Sequence, residues 1–393
     1  MTRLEHPVAL RPLETVFDNA RLVLADRVVD GHLVLRDGQI AEIGEGRAPA
    51  GLASVDLEGD YLLPGLVDIH TDHLEKHVFP RAHVKWNPLR AALAHDSQII
   101  GAGITTVFDS LCVGATVKNP ERLEILAPMI DALEQAQAAG MMRAEHLVHL
   151  RCEIVDTHTP ALTEANISRD IVRIVSVMEH LPGRRQSRDV EAYINRRMAE
   201  TGHARRVVEQ EMADMLAVAD GISASVRPAV IALAKAHGKP LLSHDDTELA
   251  HIDEAVADGI LISEFPCTIE AARYARDKGM LNVGGAPNIL RGGSQSGNVA
   301  MGDLLAEGIL DLLASDYVPR SMLDAAFLIG LDTGNDARLA EAIRLVSKAP
   351  AAAAGLADRG EIAAGLRGDL LQVRALAGHP VLRRVWREGS IVH

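Results

Sequence analysis

Tyr61-Leu62-Leu63-Pro64-Gly65-Leu66-Val67-Asp68-Ile69-His70-Thr71-Asp72 is the stretch that decides the fold. An apolar run with a Pro-Gly turn in it leads into a His and an Asp two residues apart. In an extended strand, positions i and i+2 point to one face, so His70 and Asp72 are expected to project together. An imidazole nitrogen beside a carboxylate oxygen is half of a divalent-metal site. His-x-Asp is a common pair, and alone it reads as two solvated residues at a strand end. Partners further along the chain lift it above that reading.

Upstream, Val16 to Leu24, Val28 to Leu35, Ile40 to Ile43 and Val55 to Leu57 are apolar or alternating runs and read as short strands. Asp37-Gly38 is a tight-turn pair that predicts a hairpin between Leu35 and Ile40. The other end of the chain has the same texture, with strand-like runs at Asp369 to Val373, Val381 to Trp386 and Ser390 to Val392. Two β-rich ends flanking a long middle predict one small β-sandwich domain built from residues 1–62 and 363–393.

From Leu62 onward, strand-like runs alternate with helical ones. The eight candidate strands are Leu62 to His70, Ile104 to Asp109, Leu147 to Glu153, Ile171 to Met178, Pro240 to His244, Ile260 to Glu264, Leu281 to Ala286 and Leu310 to Asp316. Helical segments such as Leu89 to Gly101 and Arg122 to Gly140 lie between most of them, and Ala349 to Ala354 reads as helix. Eight βα units in about 250 residues is the size of a TIM barrel, so the fold class is α/β, a (β/α)8 TIM barrel over residues 63–362. Pro182 to Val226 is too long for an ordinary βα connection and has helical composition. It predicts a helical insertion at about 182–226, either a lid over the barrel mouth or a peripheral helix pair.

Composition narrows the function. The chain has 393 residues, enough for a large core, and no uninterrupted apolar run long enough to span a bilayer. Its start, Met1-Thr2-Arg3-Leu4-Glu5-His6-Pro7, lacks the pattern of a signal peptide. Three widely spaced cysteines fit a reducing cytoplasm and form no zinc-finger or disulfide framework. A formal net charge of −14 argues against a general nucleic-acid binder. An anionic substrate would need arginines gathered locally against that field.

Barrel enzymes carry their chemistry at the C-terminal ends of the strands. Polar residues cluster there: His70 and Asp72, Asp109, Glu153, His180, His244, Glu264 and Asp316. On the third strand, His149, Arg151 and Glu153 share a face, and Glu153 at the mouth has two oxygens with which to bridge two metals. His180 and His244 supply nitrogen ligands, and Asp316 can both bind metal and take a proton from water. Each residue has a duller reading as a helix cap. Six of them at successive strand ends are much less expected by chance. Glu264 either replaces one of the six or supports a ligand from behind. His73, His77, His83, His95 and His146 read as structural or as supports.

A second group is basic and glycine-rich. Lys76 and Arg81 follow the first metal strand, Pro182-Gly183-Arg184-Arg185-Gln186 follows His180, and Arg291-Gly292-Gly293-Ser294 follows the seventh strand. Glycines let backbone N–H groups converge on phosphate oxygens, and Arg291 can pair with them bidentately. Phosphate sites in TIM barrels often lie in the loops after strands seven and eight.

The Pro-Gly-Leu-Val-Asp-Ile-His-Thr-Asp stretch resembles the metal-dependent amidohydrolase superfamily. Longer strings resemble one family within it, the alpha-D-ribose 1-methylphosphonate 5-triphosphate diphosphatases of the carbon–phosphorus lyase pathway. The strings include Gly103-Ile104-Thr105-Thr106-Val107, His149-Leu150-Arg151-Cys152-Glu153, Ser243-His244-Asp245-Asp246, Glu264-Phe265-Pro266, Gly285-Ala286-Pro287-Asn288-Ile289, Arg291-Gly292-Gly293-Ser294 and Ser315-Asp316-Tyr317. They cover nearly the whole chain. The superfamily's usual first motif is His-x-His, where this chain has Asp72 in the second position. No lysine stands where many members carry a carboxylated one, which leaves Glu153 as its substitute. This family more often has Asn where the chain has His73.

The resemblance implies hydrolysis of the 5-triphosphate between its α- and β-phosphorus atoms, releasing pyrophosphate in the cytoplasm. It implies two divalent ions, zinc or manganese, held by His70, Asp72, Glu153, His180, His244 and Asp316. Asp316 would accept the proton, and Lys76, Arg81, Arg185, Arg291, Gly292, Gly293 and Ser294 would hold the polyphosphate. Glu264 and His73 would stand behind the ligands. The expected partner is a small anionic ribose triphosphate phosphonate, with no nucleic acid and no membrane, and homo-oligomerisation is left open. The rivals are another amidohydrolase reaction, on a cyclic amide or by deamination, and a non-catalytic scaffold.

Overall fold

The computed structural model describes residues 14–81, 84–114, 121–185, 189–294, 297–331 and 336–393. Of the expectations above, those for residues 1–13, His83, residues 186–188, Gln295 and Ser296 lie outside the described residues.

Five strands come first: β1 (Glu14–Val23), β2 (Val28–Arg36), β3 (Gln39–Glu45), β4 (Ser54–Asp56) and β5 (Tyr61–Pro64). Eight follow, β6 (Leu66–Thr71), β7 (Ile104–Val113), β8 (Glu145–Glu153), β9 (Val172–Met178), β10 (Leu241–His244), β11 (Ile262–Glu264), β12 (Leu281–Gly285) and β13 (Leu312–Ala314). The last three are β14 (Leu370–Leu376), β15 (His379–Arg387) and β16 (Ser390–Ile391).

Strands β6 to β13 pair in chain order, all parallel, with helices between most of them. Closure of the barrel falls on the two site-bearing ends. Thr71 and Asp316 form a parallel bridge, the Asp316 N–H donates to the His70 carbonyl at 3.0 Å, and the Asp72 N–H donates to the Asp316 carbonyl at 3.1 Å. The seam that shuts the barrel thus sets the spacing between three of the predicted site residues. Inside, Val67, Ile69, Phe108, Ile174, Leu242, Val283 and Leu312 fill the lumen, so the barrel is a packed core with chemistry confined to its rim.

The remaining strands form one mixed sheet from both ends of the chain, in the order β16-β15-β14-β5-β1-β2-β3 with β4 beside β1. Its core includes Phe17, Leu22, Leu33, Leu62, Leu370 and Trp386, with the Phe17 and Trp386 rings edge to face at 4.8 Å. The β2–β3 hairpin turns at Asp37 and Gly38, both at positive φ, as the Asp-Gly pair predicts.

The expected single strand from Leu62 to His70 is in fact two, with β5 in the small sheet and β6 in the barrel. The switch occurs at Gly65, whose N–H donates to the Asp369 carbonyl at 2.8 Å. A Cβ there would lie 2.2 Å from Thr105 Oγ1, so only glycine lets the chain change sheets at this point.

The insertion consists of the helices Val190–Thr201 and Arg205–Ala236. The second runs on into the ordinary barrel helix before β10, which is why the sequence segment looked overlong. Its far end buries Val226, Val230 and Ile231 in the barrel's outer core, and Arg227 ties it down by donating to Asp258 at 2.8 Å. By length and apolar composition alone this helix is long enough to cross a membrane. Cys112, Cys152 and Cys267 are buried, and no disulfide joins any two of them.

Candidate active site

The strand ends surround a cavity of about 330 Å³. His70, Asp72, Arg151, His180, His244 and Asp316 line it, together with Phe265, Asn288, Gly293, Ser294 and Tyr317. No described residue of the helical insertion reaches it.

Its three histidines are held the same way. His70 Nδ1 and His244 Nδ1 meet the two oxygens of Glu264 at 2.6 and 2.7 Å, and His180 Nδ1 meets Glu153 Oε2 at 2.7 Å. A neutral imidazole that donates its Nδ1–H to a carboxylate keeps the lone pair on Nε2. Each ring therefore presents Nε2 as its electron-pair donor, with a buried carboxylate fixing tautomer and tilt. Burial alone would raise the Glu264 carboxyl. The surrounding imidazoles, His70 foremost, hold it well below the ordinary range, so it remains an acceptor.

Below them His149 is neutral, since burial pushes its imidazole down to about 3. Its Nδ1–H then donates to the Ile69 carbonyl at 3.1 Å, and Nε2 accepts from Ser176 Oγ at 2.8 Å. Those bonds tie β8 to β6, two strands away, and to its neighbour β9 beneath the site.

Three residues just past strand ends adopt left-handed backbone: Asp245, Phe265 and Asp316, each at φ 55°. In each case the N–H extends the ladder to the next strand, to Glu264, Val283 and His70 respectively. Left-handed backbone costs a non-glycine residue on the order of 1 kcal/mol or more, least for Asp, and such strain is concentrated at functional sites. Phe265 uses the conformation to pack its ring against both His70 and His244, at 4.9 and 5.7 Å.

The carboxylates have acceptor atoms to spare. Asp72 Oδ1 and Asp245 Oδ2 are buried without a hydrogen-bond partner among the described residues, and Lys76 Nζ stands 3.7 Å from that Asp72 oxygen. Burial, reinforced by the charge of Asp72, raises the Asp316 carboxyl against the opposing pull of His70. Opposite them, Arg151 is 8% exposed and its Nε has no hydrogen-bond partner among the described residues. A guanidinium that lines a cavity and keeps one unpartnered N–H, in a chain of net charge −14, is a candidate partner for an anion.

Of the predicted metal set, His70, Asp72, His180, His244 and Asp316 share this cavity. Asp72 is not in the strand as expected: β6 ends at Thr71, and Asp72 stands at the N-cap position of the helix His73–Val78 without a capping side-chain hydrogen bond. Glu153 does not line the cavity, because both its oxygens serve His180, one taking the ring nitrogen and the other the backbone N–H at 3.3 Å. Glu264 is a support behind the ligands, as one of its two readings had it.

Of the predicted phosphate group, Gly293 and Ser294 reach the cavity. Gly292, at φ 69°, ends the helix Ala286–Arg291 and turns the chain toward it. Lys76 and Arg291 stand outside the lining, both on Tyr317: Lys76 Nζ donates to its carbonyl at 3.3 Å and Arg291 to its hydroxyl at 3.4 Å. Arg81 is exposed and outside the lining. Arg185 is the clear departure. It is buried, donates to Asp246 and to the His244 carbonyl at 3.0 Å each, and braces β10 instead of facing the cavity. His73 lies outside the cavity, against His95. Arg151 was missed as an anion receptor, although alternation along β8 already put it on the face of His149 and Glu153.

No family model matches the chain. It is 41% identical over 377 residues to the alpha-D-ribose 1-methylphosphonate 5-triphosphate diphosphatase of Escherichia coli (strain K12), a match that spans 96% of this chain and 100% of that protein. The chain belongs to this diphosphatase family. A shorter likeness, 38% over 99 residues, links 25% of it to 20% of a D-hydantoinase of Rhizobium radiobacter. Among solved structures, N-isopropylammelide isopropylaminohydrolase of Burkholderia multivorans superposes with a TM-score of 0.64 at 17% identity, covering 97% of this chain and 98% of that one. The 5-methylcytosine deaminase of Klebsiella pneumoniae gives 0.64 at 15%, covering 96% and 98%. At such identities the likeness is one of fold alone.

Proposed function

We propose that the protein hydrolyses alpha-D-ribose 1-methylphosphonate 5-triphosphate between its α- and β-phosphorus atoms, adding one water and giving the 5-phosphate and pyrophosphate. The observation that carries this reading is the meeting, in one cavity, of an imidazole and carboxylate donor set with Arg151, whose Nε has no hydrogen-bond partner among the described residues. A cyclic amide offers that guanidinium only a neutral carbonyl, whereas a polyphosphate offers charged oxygens.

The donor set fits a divalent cation. His70, His180, His244, Asp72 and Asp316 line one cavity, donor atoms of His180, His244 and Asp245 lie within 4.8 Å of one another, and Asp245 Oδ2 is buried with no hydrogen-bond partner among the described residues. Imidazole and carboxylate donors suit zinc or manganese. Such an ion, when bound, would lower the pKa of a water and neutralise phosphate charge. Two ions, as the resemblance implies, would require Glu153 to be released from His180.

The chain's own residues do the rest. Asp316, at the seam, accepts the proton of the attacking water. Arg151 and the Gly293–Ser294 backbone hold phosphate oxygens, while Lys76 and Arg291 screen charge at the rim. Glu264 and Glu153 keep the imidazoles aimed. We place the reaction in the cytoplasm, in keeping with a chain of only three widely spaced cysteines.

The test is product analysis with the ribose triphosphate. Pyrophosphate as first product supports the proposed cleavage, and orthophosphate would refute it. Asp316→Asn should abolish turnover with metal content near that of the wild type. Loss of both together would reduce Asp316 to a ligand.

A further inference from the structure

A second group of imidazoles lies outside the cavity. His73 and His77 stand one turn apart on the helix His73–Val78, so both point to one side of it. That side faces His95 on the neighbouring helix Pro88–Gly101. The three rings form a triangle, with centroids 5.0, 5.5 and 5.7 Å apart. One nitrogen from each lies within 4.8 Å of the other two. None of the three lines the catalytic cavity.

We propose that His73, His77 and His95 form a second metal site, specific for a zinc-like divalent ion and separate from the catalytic centre.

Three features argue for it. The first is spacing. Nitrogens about 2.0–2.1 Å from a tetrahedral zinc sit about 3.3–3.4 Å from one another. His73 Nδ1 and His95 Nδ1 are 3.4 Å apart, and side-chain torsions can bring His77 in. The second is support from behind. His95 Nε2 donates to Asp109 Oδ1 at 2.7 Å, which leaves Nδ1 as the lone-pair nitrogen aimed at His73. Asp109 is itself fixed, its other oxygen meeting His146 Nδ1 at 2.7 Å. A carboxylate behind an imidazole is the usual means of orienting a metal-binding histidine. The third is a vacancy in the hydrogen bonding. A His73–His95 hydrogen bond would satisfy two rings, but His77 Nε2 is buried and has no partner among the described residues. A cation would satisfy all three at once.

Three imidazoles leave the fourth tetrahedral position open to water. The ion would clamp the helix that follows Asp72, and that carries Lys76, onto the helix Pro88–Gly101. It would thereby hold one edge of the catalytic cavity from outside.

The experiment uses full-length protein stripped of metal and dialysed against zinc, with bound zinc measured by elemental analysis. His77→Gln and His73→Asn should each bind one equivalent less than wild type while keeping its far-ultraviolet circular dichroism. Adding zinc should raise the melting temperature of wild type more than that of either variant. The same zinc count in folded variants and wild type would overturn the proposal, whatever happens at the catalytic centre. If neither variant folds, anomalous diffraction from wild-type crystals at the zinc edge decides. A peak among the three rings supports the site, and its absence at saturating zinc refutes it.

Discussion

Replacing Glu264 by Gln would test how the catalytic imidazoles are aimed. Glu264 accepts from His70 at 2.6 Å and from His244 at 2.7 Å, fully buried. Glutamine has nearly the same volume but one acceptor oxygen, so its amide NH2 must face one of the two rings. That ring can avoid a donor–donor clash only by moving its proton to Nε2, which removes the lone pair from the cavity. Hydrogen bonds to charged groups contribute about 1.5–3 kcal/mol each. Losing one of the two equals a drop of about 10–100-fold in metal affinity, the range also found when groups behind metal ligands are removed. Metal-free wild type and Glu264→Gln would be titrated against a chelating competitor, with turnover followed as a function of free metal. The variant's activity curve should shift to higher metal by that factor, with much of the turnover recovered at saturation. Affinity within about two-fold of wild type would show that Glu264 does not act through the two rings. So would a loss of turnover that added metal does not touch.

Arg151→Gln should raise KM by about 10–100-fold, with a smaller change in kcat, because it removes a buried anion donor and leaves the metal ligands alone. An unchanged KM in steady-state kinetics would remove Arg151 from the substrate site. Glu145→Gln should cost about 1.5–3 kcal/mol at pH 7, since buried Arg359 and half-buried Arg367 both donate to that carboxylate, at 2.7 and 2.6 Å. Burial works against the Glu145 charge, but the two guanidiniums, Arg359 first, outweigh it and hold the carboxyl below its ordinary value. A depressed folded-state value means the stabilisation is complete above the unfolded value near 4.3 and fades as pH falls below it. Denaturant melts should therefore show the gap between wild type and variant closing under acid. A gap independent of pH would mean that packing, not charge, had been lost.

Much of the barrel was legible because each strand is a short apolar run ending in a polar residue, and its order follows the chain. What escaped notice depends on partners remote in sequence. Glu264 meets His70 across 194 residues, and no local pattern says which carboxylate stands behind a ligand and which would be one. Glu153 shows the same ambiguity from the other side. Arg185 sits two residues after a glycine in an apparent loop, yet Glu179 and Asp246 draw it inward. The break at Gly65 was hidden because both halves of the run are equally apolar, and only Thr105 across the sheet shows why the chain must turn. The His73–His77 spacing was visible, while the approach of His95 needed the packing of two helices.

The sheet switch at Gly65 makes the small domain a tether for the active site. β14 zips onto β5 through Leu370–Val373, and just past Gly65 the six-residue strand β6 begins, with His70 as its fifth residue. Loosening the C-terminal hairpin would free the near end of the strand whose far end carries a ligand. Damage at residues 370–387 would then be felt as poor cation retention at the rim, a full barrel height away.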